Sequence, residues 1–182
     1  MSKNDFKFIV FEGVDASGKS TLAKGLAEKI KGTYYYTPPT ILHSIRDFAD
    51  SSSPIVRYHY YLLGVYIAID EIRKLLQRQH VIADWYIFAT LAYHSVLLNT
   101  KLELPKDLLL PDYVIYLTAN WDVIDSRLES RTHRSKYEEL LFLKKVHKQY
   151  LRLFKNLDQV IYLDTESLTV DENIDKILRL IF

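Results

Sequence analysis

The stretch "FKFIVFEGVDASGKSTLAKGLAEKI", residues 6–30, decides the fold. Apolar and aromatic residues run into Glu12, a glycine-bounded loop follows, and a lysine with two hydroxyls opens a helical pattern. Gly13-Val14-Asp15-Ala16-Ser17-Gly18-Lys19-Ser20 satisfies G-x-x-x-x-G-K-[ST], and it stands between a buried strand and an amphipathic helix, the context that gives the motif its meaning. The glycines let backbone N–H groups curl around an anion, and the helix starting near Lys19 adds its positive dipole end. Gly13, Ala16, Ser17, Gly18, Lys19, Ser20 and Thr21 are therefore expected to cradle phosphates. Lys19 would reach the β and γ phosphates, and the Ser20 hydroxyl would ligate magnesium. Asp15 is a carboxylate inside a phosphate loop, which is unfavourable unless it faces another group, so it is expected to point toward the acceptor. Glu12 has two readings of equal weight: a strand-end residue bonded to nearby backbone, or an organiser of the metal.

Outward from this loop, "FKFIVF" (6–11), "VIAD" (81–84), "YVIYL" (113–117) and "VIYLD" (160–164) read as buried strands, with "TYYY" (33–36) a weaker fifth. Helical patterns fall at 19–31, about 40–49, 54–79, 86–98, 120–131, 136–155 and 171–181. Strands alternating with helices predict an α/β fold, a P-loop kinase-like three-layer sandwich with a five-stranded parallel sheet flanked by helices. Pro54 suits the first turn of the long helix, with Ser53 as its cap. "TPPT" (37–40) and "SSSP" (51–54) are loops inside one domain spanning 1–182.

The net charge of +1 gives no reason to expect a nucleic-acid or membrane-surface binder, so charge recognition must be local. No cysteine is present, which removes disulfides, thiolate nucleophiles and Cys-based zinc sites. No apolar run approaches the ~20 residues of a membrane span, and a cytoplasmic location is the default. Six histidines are scattered without an H-x-x-x-H pair, and no G-x-S-x-G elbow occurs. Arg127, Arg131 and Arg134 follow at spacings of four and three, so a helix and the loop after it would present them along one edge toward the phosphates. A solvated basic face is the plain alternative. Arg57 shares a helix with an aromatic cluster in "IVRYHYYLLGVY", a pattern suited to a phosphate and a base together.

With these motifs in order, the chain resembles thymidylate kinases, whose loops read F-E-G-x-D-x-x-G-K-[ST]-T. "ADWYIFATLAYH" (83–94) is similar to that family's D-R-Y-x-x-S-x-x-A-Y-Q segment, matching at Asp84, Tyr86, Ala92 and Tyr93. "TPPTILHSIRDF", "YLLGVYIAIDEI" and "PKDLLLPDYVIYLT" are more similar to the mitochondrial-type UMP-CMP kinase branch. The resemblance implies ATP-dependent phosphorylation of a pyrimidine nucleoside monophosphate, with dTMP the leading acceptor, ATP and Mg2+ as cofactors, small-molecule nucleotides as partners and a homodimer. It implies Asp84 beside Ser20 at the metal, a lid over about 129–137 carrying Arg131 and Arg134, and an adenine loop at Thr165, Glu166 and Ser167. Lys19, Asp15, Asp84 and the three arginines would form the catalytic set. Asp15, Arg46, Arg57, Tyr61, Tyr66, Trp85, Tyr93 and His94 would meet the acceptor.

Three departures stand out. Trp85 replaces the family arginine, Ala89 a serine and His94 a glutamine. A charge-assisted hydrogen bond from that arginine is worth about 1.5–3 kcal/mol, roughly ten- to a hundredfold in rate if made only in the transition state. Trp85 either fills space at the strand end or covers the acceptor base. The rival readings are a nucleoside kinase, in which Asp84 or Glu12 acts as base, and a non-catalytic nucleotide-binding relative marked by Trp85.

Overall fold

The computed structural model describes residues 6–131 and 136–182. Five strands, β1 (Phe8–Glu12), β2 (Thr33–Tyr36), β3 (Val81–Asp84), β4 (Tyr113–Thr118) and β5 (Val160–Asp164), form an all-parallel sheet in the order β2-β3-β1-β4-β5. The α/β class expected from sequence holds, and "TYYY" is the edge strand beside β3. Among the described residues seven α-helices connect them: α1 (Lys19–Lys29), α2 (Arg46–Ser51), α3 (Pro54–Leu75), α4 (Ile87–Leu97), α5 (Trp121–Glu129), α6 (Leu140–Phe154) and α7 (Val170–Ile181).

Strand side chains alternate between two cores. Ile9, Phe11, Ile82, Ile115 and Leu117 pack with Leu22 and Leu26 of α1 and Ile174 and Ile177 of α7. Phe8, Val10, Ala83, Val114 and Tyr116 face the other way, against Val65 and Ile72 of α3, Leu91 of α4 and Val146 and Tyr150 of α6. Both faces are covered, which explains why the strands read as continuous apolar runs. Register then aligns the strand ends. Phe11 pairs with Asp84 on one side and with Ile115 on the other, so the loop after β1 opens beside the Asp84 carboxylate.

Boundaries moved where local chemistry was ambiguous. The long helix ends at Leu75 rather than 79, its last turns becoming i→i+3 bonds such as Arg78 N–H to Leu75 O (3.0 Å). Residues 40–45 form a 3-10 turn before α2, and the expected helix over 136–155 is a 3-10 turn at Lys136–Glu138 followed by α6. Ser53 occupies the N-cap of α3, but its side chain makes no capping bond.

Candidate active site

The loop after β1 turns sharply. A Cβ on Gly13 would lie 2.7 Å from Ser17 Oγ and 2.9 Å from the Leu117 carbonyl oxygen, so only glycine fits (φ 149°). Gly18 is left-handed (φ 97°) at the N-cap of α1, which aims the first turn of that helix into the loop. Lys19 follows, 6% exposed, and its ammonium donates to Val14 O at 2.7 Å. Burial lowers its pKa, against the pull of the Asp15, Asp84 and Glu12 carboxylates.

A cavity of about 320 Å3 opens here, lined by Gly18, Lys19, Ser20, Asp84, Arg127 and Arg131 among others. Two of the buried oxygens nearby have no partner: Ser17 Oγ and Asp84 Oδ1. Asp84 Oδ2 accepts from Tyr34 Oη at 2.9 Å, which orients the carboxylate and leaves its other oxygen over. An orphaned buried carboxylate oxygen is costly unless a donor or cation reaches it. The donor set therefore fits a hard divalent cation, with the Ser20 hydroxyl as its neighbour on the cavity wall.

Glu12 resolves to one of its two readings. It is fully buried, Oε1 accepts from the backbone N–H groups of Tyr86 (3.1 Å) and Ala89 (3.4 Å) at the start of α4, and Oε2 accepts from Tyr150 Oη (3.0 Å). Burial pushes its pKa up to about 8, although Tyr150, Lys19 and the two backbone donors pull it down. Glu12 thus ties β1 to α4 and α6.

Arg127 donates to Ala16 O (3.3 Å), Thr165 Oγ1 (3.4 Å) and Thr165 O (3.4 Å), while Thr165 Oγ1 donates to Ser17 O and Thr118 O (both 3.2 Å). These bonds brace the loop from the β5 side and border a cavity of about 280 Å3 whose walls include Thr21, Leu168 and Asn173. Of the expected adenine loop only Thr165 lines this cavity. The Glu166 carboxylate instead accepts from Asn120 N–H, and Ser167 is exposed. Asn173 was missed by sequence reasoning. Its amide donates to Leu168 O and Thr169 O (both 3.0 Å), and its buried Oδ1 has no partner, leaving an acceptor at the wall.

On the other side of Lys19 lies a third cavity, about 330 Å3, bordered by Asp15, Arg46, Arg57, Tyr61, Trp85 and Tyr93. Those are six of the residues expected around the acceptor. Tyr93 Oη donates to Asp15 Oδ2 (2.7 Å) and accepts from Asp15 N–H (3.2 Å), holding the carboxylate. Arg57, 7% exposed, donates to Asp50 Oδ1 (3.0 Å) and lies 4.8 Å from the Tyr61 ring centre and 4.3 Å from that of Tyr137. Arg46 reaches Asp50 Oδ2 at 3.5 Å. Asp50, Tyr137 and Glu138 also border this cavity and were missed. The Arg46/Asp50 spacing of four was a legible helical pair, whereas Tyr137 comes from a distant turn.

His94 and Tyr66 do not border it. His94 sits behind Arg57: its Nδ1–H donates to Thr90 O (2.7 Å), which leaves the Nε2 lone pair toward Arg57 Nη1 (3.4 Å). Burial depresses its pKa to about 4, so the imidazole is neutral. Tyr66 lies nine residues after Arg57, about 180° around α3, and its hydroxyl donates to Asp107 (3.2 Å). Trp85 borders both the first and third cavities, its indole centre 5.5 Å from Lys19 Nζ and 5.4 Å from the Tyr93 ring. Its left-handed backbone (φ 72°) costs on the order of 1–2 kcal/mol. Arg131 donates to Glu138. Arg134 and part of the expected lid lie outside the described residues.

A parallel sheet whose central strand feeds a glycine-bounded phosphate loop, with cavities on both sides of its lysine, defines the class of P-loop nucleotide kinases. Within it the chain belongs to the thymidylate kinase family, whose model matches residues 11–177. A probable thymidylate kinase of Methanococcus vannielii is 33% identical over 163 residues, 81% of this chain and 77% of that protein. The mitochondrial UMP-CMP kinase 2 of Homo sapiens is 30% identical across 84% of this chain and 38% of that protein. The solved thymidylate kinase from Candida albicans superposes with a TM-score of 0.75 at 21% identity, over 97% of this chain and 91% of that one. The chain is a nucleoside monophosphate kinase that uses a nucleotide phosphate donor.

Proposed function

We propose that this kinase transfers the γ-phosphoryl group of ATP to a pyrimidine nucleoside monophosphate, dTMP foremost, with Mg2+. The observation that carries the reading is the adjacency of two cavities sharing Asp15 and Trp85, one walled by the phosphate loop and the other by two arginines. An acceptor phosphate oxygen bonds to the γ phosphorus as the bond to the β–γ bridging oxygen breaks, the electron pair leaving on ADP. The acceptor is already an anion, so no protein base is needed. Lys19 neutralises the donor phosphates, Arg57 and Arg46 hold the acceptor, and Asp15, locked by Tyr93, faces it. Ser20 and Asp84 would hold Mg2+, which when bound neutralises phosphate charge. Arg127 and Thr165 fix the loop beside the cavity assigned to adenine, where Asn173 Oδ1 is an acceptor for the exocyclic amine. Names of relatives support both dTMP and UMP or CMP as acceptors. Tyr66, whose hydroxyl bonds to Asp107, does not line the acceptor cavity and makes no base contact in this reading.

ADP release with ATP and Mg2+, measured across dTMP, dUMP, UMP, dCMP, CMP and the free nucleosides, tests this reading. Turnover greatest on dTMP and lowered about a hundredfold or more in Lys19→Ala supports it. Turnover on the free nucleosides in preference to every monophosphate overturns it.

A further inference from the structure

Away from the substrate cavities, the groove between α4 and α6 holds a separate concavity of about 470 Å3. Its charge has one sign. Lys101, Lys145 and Lys148 line it with no carboxylate among them, and none of these lysines pairs with an acid among the described residues. Helix α6 contains lysines and an arginine but no Asp or Glu, in a chain whose net charge is only +1. Positive charge is concentrated there, where it shapes a local field.

The rim is held from both sides. Leu102 N–H donates to Ser95 Oγ of α4 (3.1 Å), while Arg152 of α6 donates to Leu102 O (2.6 Å) and Glu103 Oε1 (3.0 Å). Lys101 is therefore carried on a clamped segment. Arg152 also donates to Gln149 Oε1 (2.9 Å), so the amide –NH2 of Gln149 is left as a donor at the groove. The carbonyls of His94, Ser95 and Val96 at the end of α4 accept from Leu98, Thr100 and Asn99 N–H (2.9, 3.0 and 3.2 Å), so they are satisfied locally. What remains is a hollow of fixed backbone rimmed by exposed ammonium groups and the Gln149 donor, complementary to several phosphate charges on a short chain.

We propose that this groove is a second anion site, separate from the phosphate loop, for a ligand bearing an oligophosphate chain, and that its occupancy acts on the acceptor cavity. The connection is short: Ser95 follows Tyr93 and His94 on α4, and Gln149 precedes Tyr150, which holds Glu12.

The test is isothermal titration of inorganic tripolyphosphate into the whole chain carrying Lys19→Ala, which removes the ammonium of the phosphate loop and weakens competition from it. One tripolyphosphate binds per chain, and adding Lys145→Gln with Lys148→Gln weakens it roughly tenfold or more. The control, Lys74→Gln with Lys176→Gln, makes the same charge change on exposed lysines elsewhere and leaves affinity unchanged. No saturable binding, or the same effect in both double variants, including no weakening in either, overturns the site. A nucleoside triphosphate binding more tightly than tripolyphosphate assigns the ligand as a nucleotide; equal affinity assigns the phosphate chain alone. With Lys19 intact, Lys145→Gln/Lys148→Gln retains turnover but loses whatever response to tripolyphosphate saturating donor does not relieve. Persistence of that response overturns the coupling, and binding is read independently of which acceptor is phosphorylated.

Discussion

The two sides of Lys19 are built differently. The donor side is built around one segment, residues 12–21, whose loop bends at glycines and whose lysine sits on the first turn of the next helix, with Asp84, Arg127 and Thr165 added from elsewhere. The acceptor side is assembled from α2, α3, α4, the turn at Lys136–Glu138 and the Trp85 bend, and its central arginine stands only because Asp50, Tyr61, Tyr137 and His94 converge on it. A contiguous site tolerates drift in the rest of the chain, whereas a convergent one changes its specificity with any of its walls.

The largest effect that would break this comparison belongs to the donor side. Lys19→Ala is expected to lower kcat by about 10²–10³, the worth of one preorganised charge contact on a developing anion; a loss under about tenfold in single-turnover assays would place the phosphates elsewhere. Next comes Arg57→Gln, expected to raise the acceptor KM roughly ten- to a hundredfold with the donor KM unchanged. Equal changes in both KM values would show that the two sides are not separable.

Stability should then distinguish the two sides by the sign of its pH dependence. The folded pKa of Glu12, about 8, lies above its ordinary 4.5, so its contribution is full below pH 4.5 and is lost as pH rises through 8. The folded pKa of His94, about 4, lies below its ordinary 6.5, so its contribution is full above 6.5 and is lost as pH falls through 4. In urea melts, Glu12→Gln should flatten the alkaline limb and His94→Gln the acid limb, each by at least about 1.4 kcal/mol, the worth of one pKa unit. Limbs unchanged by both variants would refute the burial argument. The smallest effect is Tyr66→Phe, expected to change the acceptor KM less than about twofold because that hydroxyl bonds at the surface to Asp107. A tenfold change would return Tyr66 to the acceptor site.

Legibility followed the same division. The loop, the parallel sheet and its weak fifth strand were readable because short apolar runs ending at polar or turn residues and glycine spacing are local signals. Helix ends were less so, since the turns after Leu75 and around Lys136–Glu138 differ from α-helix only by one residue of hydrogen-bond spacing. Most of the acceptor residues were named from resemblance, yet Asp50 was missed although its spacing from Arg46 made it visible, and Tyr137 left no signal at all. His94 and Tyr66 were placed one layer too close, because a sequence gives a residue's position along a helix without saying which neighbour stands in front of it.

By itself, then, the sequence determined the phosphate loop, the alternation of strands and helices, and the lysine at the junction, since backbone geometry and apolar runs are written in adjacent residues. Only the tertiary structure decided that Asp50 joins two arginines, that Trp85 stands between two cavities, and that three lysines from α6 and the segment after α4 share one hollow. Those relations depend on how helices far apart in the chain are rotated and packed against a common sheet, and that packing is settled by the whole core at once.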